Sequence, residues 1–396
     1  MTFLVVLFWA AVGLTAYTIF GYPLLLLLLW QLKRPRRQAE TVLPKQVDFL
    51  IPAHNEAAHI AGKIANTLGQ ANPHGHQIRV IVVSDGSTDE TVAIARGTGD
   101  ARVTVIETPG RAGKLGALNL GLGHCTGDVI VFSDANGLLS ENALSALMRP
   151  FEDPQIGGVC GKIEVARTGG IARADGLFWR YDQAMKRAES DLGGVVSAQG
   201  SLYAIRRSLT SALLPGFADD FLMSTRVVEQ GYRLAFAPEA IAVEEVTEHA
   251  GNEMDRRVRS TVMGWAGLMK MRHLMNPFRT GAYGWQLFSH KFLRRLVPVL
   301  LLIAFATNLL LIGASPFWTV LGLAQTLVYA LAIAAWVRPE LRRVPIVTPL
   351  LFFMMSNFAM LLGLWRYYRG ERVSVWTPVR DAAADSTRDS PREAER

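Results

Sequence analysis

Three long stretches of this 396-residue sequence contain no charged residue, and they constrain the fold more than any other feature. They span residues 3–30, 296–336 and 345–365. A helix needs about 20 apolar residues to cross the hydrocarbon core of a bilayer, so each stretch can hold at least one transmembrane helix. The middle stretch can hold two, because glycine and proline favour a turn at residues 313–316. The sequence therefore predicts a multi-pass membrane protein.

The first apolar stretch is interpreted as an anchor and not as a cleaved signal peptide. Its apolar run is longer than a signal core, and no charged segment precedes it. A basic cluster follows at residues 33–37, and the positive-inside rule places such clusters in the cytoplasm. We therefore expect residues 1–32 to form an N-terminal transmembrane helix in the inner (plasma) membrane, with the following domain in the cytoplasm.

The formal net charge of +7 also fits a membrane protein. Basic residues cluster beside the apolar stretches, where anionic lipid headgroups attract them, so the expected partner is the lipid bilayer and not nucleic acid. Cys125 and Cys160 are the only cysteines, and neither belongs to a CxxC motif. A zinc site and a disulfide are therefore not expected, and both residues are interpreted as small core side chains.

Between residues 45 and 275, strand patterns alternate with helical patterns. Strands are predicted at residues 47–52, 79–83, 103–106 and 128–132, and helices at 59–68 and 114–122. This alternation predicts an α/β domain with a mostly parallel central sheet, in which ligands bind beyond the carboxyl ends of the strands. Three polar clusters should meet at that edge, namely residues 54–56, 85–87 and 134–136. No GxGxxG or P-loop motif is present, which disfavours the common dinucleotide and nucleoside triphosphate sites.

Six sequence blocks resemble family 2 glycosyltransferases in their order and spacing. They are IPAHNEA (51–57), VSDGSTDET (83–91), GKLGALNLG (113–121), FSDAN (132–136), AQGSLYAIRR (198–207) and ADDFLMSTRVVEQGYRL (218–234). The family includes membrane-anchored cellulose, hyaluronan, chitin-oligosaccharide and poly-N-acetylglucosamine synthases. The resemblance covers about residues 47–295. It implies a GT-A fold and inverting transfer of a sugar from a UDP-sugar donor to a glycan acceptor.

The resemblance also implies a set of donor-binding residues. The acid at Asp85 would contact the base or ribose of the nucleotide, with Glu56 and Asp48 as supports at the same edge. Lys114 would meet the diphosphate as a point charge. From the residues alone, Asp85 could instead be a turn residue or helix cap, and Lys114 could equally be a solvated lysine.

The processive members of the family carry a QxxRW motif near the membrane, and this chain departs from it. The corresponding residues 256–260 read RRVRS, so Arg259 matches the arginine that holds the diphosphate. Ser260 stands where the family has the tryptophan that stacks on sugar, which puts long processive polymerisation in doubt.

Asp134 and Asn136 stand where the family has its DxD motif, and they are the predicted metal ligands. A divalent cation there would neutralise charge on the leaving diphosphate, and oxygen ligands suit Mg²⁺ or Mn²⁺. The alternative is that Asp134 contacts the diphosphate–metal unit while Asn136 only hydrogen-bonds a sugar.

The family places its general base on an acid that matches Asp220, with Asp219 beside it in support. One of the two acids could instead be a plain helix N-cap. The acceptor-side loop is predicted at Gln199, Gly200 and Ser201, whose small neighbours would admit a sugar. A tight turn between strands explains the same residues.

The remaining segments are predicted as an amphipathic interface helix (276–295), a C-terminal transmembrane region of two to three helices (296–367) and a disordered tail (381–396). Arginines at 338–343 and at 366–372 both favour the cytoplasmic side, which three simple crossings cannot satisfy. A re-entrant last segment is one solution. Two rival functions stay open, a glycolipid synthase with a lipid or lipid-phosphate acceptor and a membrane scaffold with a degenerate transferase domain.

Overall fold

The computed structural model describes residues 1–33, 43–166, 172–245 and 250–371. The chain begins with one apolar helix, Thr2–Leu32, which consists of α1 (Thr2–Ala16), a π-helical segment (Tyr17–Gly21) and α2 (Tyr22–Leu32). An α/β domain follows it. The tail predicted at 381–396 lies outside the described residues.

The domain is built on one eight-stranded sheet with the strand order β3-β2-β1-β4-β7-β6-β8-β5. Four neighbouring pairs are parallel and three are antiparallel, so the sheet is mixed. All four strands predicted from the sequence lie in its parallel half, β3-β2-β1-β4. The strands are β1 (Gln46–Ala53), β2 (Gln77–Ser84), β3 (Val103–Glu107), β4 (Val129–Ser133), β5 (Gly137–Leu139), β6 (Ile156–Ala166), β7 (Leu202–Arg206) and β8 (Arg233–Glu245).

Helices cover both faces of the sheet, as expected for strands that are buried on two sides. Side chains alternate along β1, so that Phe49 faces one core cluster and Leu50 faces the other. Both side chains are fully buried. The helices of the domain are α3 (Ile60–Leu68), α4 (Thr91–Gly97), α5 (Gly113–Leu122), α6 (Ala143–Met148), α7 (Ala172–Leu192), α8 (Asp219–Glu229) and α9 (Ala250–Lys270).

After the domain, a short helix α10 (Pro277–Thr280) leads into a continuous helix, Ala282–Leu311. This helix consists of α11 (Ala282–Gln286), a π-helical segment (Leu287–Leu293) and α12 (Arg294–Leu311). The segment predicted as a separate interface helix, 276–295, is therefore a helical turn followed by the first part of this longer helix. Two further helices follow, α13 (Pro316–Val337) and α14 (Val347–Tyr368).

Four helices in the described ranges are long and apolar enough to cross a membrane, judged by length and composition. They are Thr2–Leu32, Ala282–Leu311, α13 and α14. Both cysteines, Cys125 and Cys160, are free and buried, which confirms their interpretation as core residues.

Candidate active site

The carboxyl ends of β1, β2 and β4 form the edge at which the sequence predicted a site. Asp85 follows β2 and is buried there. Its Oδ1 accepts hydrogen bonds from the backbone amides of Ala112 (2.6 Å) and Gly113 (3.0 Å) at the beginning of α5. Asp85 therefore fixes the N-terminus of the helix that carries Lys114.

Lys114 joins residues from distant parts of the chain. Its Nζ lies 2.7 Å from Asp134 Oδ1 after β4 and 3.7 Å from Asp219 Oδ2 at the start of α8. Burial alone would lower the pKa of Lys114, but the carboxylates of Asp134, Asp219 and Asp220 outweigh it and raise this pKa. Its side chain is only 18% exposed, so the solvated-lysine interpretation is wrong.

Asp219 and Asp220 lie in the first turn of α8, after the N-cap residue Ala218. Neither acid is therefore the N-cap. Asp220 Oδ1 accepts a hydrogen bond from the amide of Phe221 (2.7 Å). Burial and the neighbouring Asp219 raise the pKa of Asp220 to about 6, against the opposing effects of the Phe221 amide and of Lys114. A carboxyl with this pKa is well matched to a general base near neutral pH.

The predicted acceptor-side loop lies against these acids. A Cβ atom added to Gly200 would stand 3.7 Å from Asp220 Oδ2 and 3.9 Å from Lys114 Nζ, so a larger residue would fill the space above both. Gln199 Oε1, Asp219 Oδ2 and the Tyr203 hydroxyl are buried without a hydrogen-bond partner in the described part of the chain. Unpaired buried polar atoms are costly, so this group fits a polar ligand.

Two charged residues at this edge escaped the sequence analysis. Glu244 lies near the end of strand β8. Burial raises the pKa of Glu244, and the neighbouring Asp134 adds to this rise, while a hydrogen bond from Ser201 opposes it. Lys63 of α3 is fully buried and donates hydrogen bonds to Ser133 Oγ (2.7 Å) and to the Gly137 carbonyl, at the two ends of the Asp134 turn. A lone lysine inside a helix resembles a solvated residue in sequence, which is why it was missed.

Among the described residues, three that were predicted at the donor site do not contact Asp134, Asp219 or Asp220. Asp48 lies at the opposite end of β1, where Oδ2 accepts from the amides of residues 126 and 127, so its predicted role at the donor edge is wrong. Glu56 Oε2 pairs with His59 Nδ1 at 2.8 Å. Arg259 of α9 forms no hydrogen bond or ion pair with another described residue. Instead, Arg256 lies close enough to Glu244 to lower the pKa of that acid.

The oxygen donors at this edge suit a hard divalent cation. Asp134 is a partly exposed carboxylate at a strand tip, and Asn136 is exposed two residues later. Asp219 Oδ2 adds a buried oxygen without a hydrogen bond. No three His, Cys, Asp or Glu side chains gather in a metal-binding arrangement among the described residues, so bound substrate oxygens or water would have to complete the coordination.

Comparisons with known proteins bear on the family and the fold of this domain. Residues 48–214 match the family described as Glycosyl transferase family 2. An N-acetylglucosaminyltransferase of Rhizobium meliloti (strain 1021) is 24% identical over 332 residues, which are 78% of this chain and 76% of the relative. An N-acetylglucosaminyltransferase of Bradyrhizobium diazoefficiens is 25% identical over 83% of this chain and 70% of its own length.

Among solved structures, a mannosyltransferase from Pyrobaculum calidifontis, in complex with GDP-Man and Mn²⁺, shares the fold. Its TM-score is 0.68 at 24% identity, and the match covers 92% of this chain and 100% of the other. The resemblance drawn from the six sequence blocks is confirmed for the domain: residues 48–214 match the family 2 glycosyltransferases, and the α/β domain has the GT-A fold.

Proposed function

We propose that the protein transfers a sugar, with inversion, from a UDP-sugar to a hydroxyl group of a glycan acceptor. One observation carries this proposal: Asp220, a partly buried carboxyl with a raised pKa, lies in the same cleft as Lys114 and Asp134. The names of the bacterial relatives favour N-acetylglucosamine as the transferred sugar. The same retained acids argue against a catalytically degenerate scaffold.

In this proposal, Asp220 accepts the proton of the acceptor hydroxyl. The hydroxyl oxygen then bonds to the anomeric carbon of the donor, and the nucleoside diphosphate leaves with the bonding electron pair. Lys114 carries a firmly held positive charge beside the acids and would stabilise the negative charge that develops on the diphosphate. Asp85, Glu56 and Arg259 are the remaining proposed donor contacts. Gln199, Gly200 and Ser201 would line the acceptor side.

A divalent cation, Mg²⁺ or Mn²⁺, would be held by Asp134 and Asn136. When bound, it supplies positive charge next to the donor diphosphate. The solved mannosyltransferase contains Mn²⁺ with its nucleotide sugar, which supports this part of the proposal. We further propose that the helices anchor the protein in the inner membrane with the catalytic domain in the cytoplasm, which gives access to nucleotide sugars.

The Asp220→Asn substitution tests the proposal, because it keeps the shape of the side chain and removes its basicity. Loss of a positioned general base lowers turnover by roughly 10²–10⁴-fold. UDP binding, measured by calorimetry on the solubilised full-length protein, should stay near the wild-type value. Turnover within a few fold of wild type in the presence of UDP-N-acetylglucosamine would remove Asp220 from its role.

A further inference from the structure

A second polar cavity, of about 220 Å³, opens beside the acceptor loop. Its walls come from α7, α9, the helix Ala282–Leu311 and α14, and Gln199 of the acceptor loop also lines it. Two of these helices are candidate membrane spans. The cavity therefore lies between the acceptor loop and the apolar helices, and no residue of the proposed donor site lines it.

The cavity contains more positive than negative charge. Four basic side chains line it, Lys186, Lys291, Arg294 and Arg295, against the two carboxylates Asp182 and Glu189. Both carboxylates have partners within the protein.

Asp182 forms an ion pair with Lys186 at 2.7 Å. Glu189 is fully buried, and its Oε1 accepts hydrogen bonds from Tyr22 (2.6 Å) and from His290 Nδ1 (2.6 Å). His290 Nε2 lies 3.3 Å from Arg294 Nη1 on the other side of the ring. Both acids of the cavity thus already interact with other side chains of the protein.

Lys291 and Arg295 are different. Neither has a carboxylate within ion-pair distance in the described ranges, and the one hydrogen bond of the Arg295 side chain there is to the Lys291 carbonyl (3.1 Å). Both are partly buried, where an uncompensated charge is costly. A neutral glycan would not compensate this charge, whereas a phosphate group would, since guanidinium and ammonium groups bind phosphate oxygens strongly.

The acids lie within electrostatic range of this cavity. The positive charge of Lys291 lowers the pKa of Asp220, which places the ammonium group near the proposed base. Asp220 is therefore within electrostatic range both of Lys114 and of Lys291, which lines the cavity.

We propose that this cavity binds the phosphate group of a membrane-borne acceptor, so that the acceptor is an anionic glycolipid whose sugar hydroxyl faces Asp220. The proposal rests on the proposed function and makes its acceptor class more specific. The chemical step is the one proposed above. The acceptor hydroxyl loses its proton to Asp220 and forms the glycosidic bond, while the nucleoside diphosphate leaves. The acceptor phosphate is held by Lys291 and Arg295 and forms or breaks no bond.

Two synthetic acceptors of equal chain length test this assignment on the full-length protein in detergent. One carries N-acetylglucosamine on an alkyl diphosphate, and the other is the uncharged alkyl glycoside. We expect wild type to show a KM for the charged acceptor at least about tenfold lower, the size expected of a charge-assisted contact. Lys291→Gln and Arg295→Gln should each bring the ratio of the two KM values toward one, and Arg295→Lys should restore part of it.

The control is Arg272→Gln, which removes an exposed cation from the nearby turn Arg272–Met275 and should leave the KM ratio at the wild-type value. Equal KM values for both acceptors in wild type would overturn the proposal. So would a rise in the KM for the UDP-sugar alone in Lys291→Gln and Arg295→Gln, because the cavity would then hold the donor diphosphate. Competition by inorganic phosphate against the charged acceptor, without effect on the uncharged one, would support a phosphate site. If wild type consumes no donor with either acceptor, the proposed function itself fails.

Discussion

Asp220 is held between charges of opposite sign, and this makes its titration testable. Asp219 raises the pKa of Asp220, and Lys114 lowers it. A base acts in its deprotonated form, so kcat/KM should rise with pH through about 6 in wild type. Asp219→Asn removes a negative neighbour and should shift this rise to lower pH.

Lys114→Met removes a positive neighbour and should shift the same rise to higher pH. The two variants serve as controls for each other. Both should lower activity, but an electrostatic effect on Asp220 should shift their pH profiles of kcat/KM in opposite directions. Full pH profiles of kcat/KM measure the shifts. Movement in one common direction would contradict the assignment of the acid limb to Asp220.

Asn136 offers a test of the metal site at the residue scale. Its amide oxygen can coordinate a cation but carries no charge, and metal affinity rises with the charge of the ligand set. We expect Asn136→Asp to lower the Mn²⁺ concentration for half-maximal activity by about tenfold. Binding of Mn²⁺ followed by electron paramagnetic resonance should show the same change without turnover. Asn142→Asp adds the same charge at an exposed position before α6 and should change neither value.

At the residue scale, charged residues within recognisable motifs were predictable from the sequence, and cations within helices were not. Asp134 and Asp220 could be found because acids beyond strand ends and helix starts form recognisable motifs. Lys63, Lys291 and Arg295 could not, because a cation in a helix or beside an apolar stretch resembles a solvated or lipid-facing residue. Whether such a cation is buried against a cavity depends on contacts between segments far apart in the chain.

At the scale of elements, α5 must pack closely on the sheet to hold Lys114 in place. A Cβ atom at Gly121 would lie 2.2 Å from Leu50 Cδ1 and 2.9 Å from Val83 Cγ2. Gly121→Ala should therefore push the helix from β1 and β2 and destabilise the domain by about 1–3 kcal/mol. Thermal unfolding of the solubilised protein, together with kcat/KM, measures both effects.

The matched control is Gly62→Ala on α3, where an added Cβ meets nothing within 4 Å. There, alanine should keep or raise stability by up to about 1 kcal/mol because it favours the helix. An equal response of the two variants would show that close packing at Gly121 does not position α5.

The elements divide in the same way between those that sequence predicts and those it does not. Strands β1 to β4 are runs of apolar, often β-branched residues with polar ends, and all four were predicted. The strand β6 was not, because Gly157, Gly158 and Gly161 interrupt its apolar pattern. The structure gives the reason for these glycines: at Gly157 a Cβ would lie 2.5 Å from Leu209 Cδ1, and at Gly161 it would lie 2.7 Å from Leu202 Cδ2. Close packing therefore requires glycine within this strand, whereas a glycine-rich pattern in the sequence predicts a turn.

At the scale of the whole molecule, contacts of the first helix show which ends of the apolar helices lie near the catalytic domain. Trp30 and Lys33, near the end of the first helix, contact Asp191 of the catalytic domain. The opposite ends meet elsewhere, where Phe8 and Trp9 of α1 pack against Trp318 of α13. The first helix and α13 therefore run in the same direction, and the end of α13 returns toward the domain.

The last helix, α14, begins beside the end of α13 and then follows the catalytic domain. Val347 packs with Ala335 at its beginning. Further along, Ser356 accepts a hydrogen bond from Arg257 of α9 (2.9 Å). Leu364 packs in one cluster with Trp265 and other residues of the domain. Both ends of α14 thus lie on the side of the domain, which would satisfy the two arginine clusters that three simple crossings cannot.

We therefore predict that the residues after α14 face the same side of the membrane as the catalytic domain. Single cysteines at Glu371, at Ala314 between α12 and α13, and at Arg149 in the domain can be labelled with a membrane-impermeant reagent in sealed vesicles. All three positions are exposed, and the two native cysteines are buried, which keeps the background low. Glu371→Cys should react together with Arg149→Cys, and Ala314→Cys should react only from the opposite side. Labelling of Glu371→Cys together with Ala314→Cys would mean that α14 crosses the bilayer, and the arginines at 366 and 369 would then lie against the charge rule.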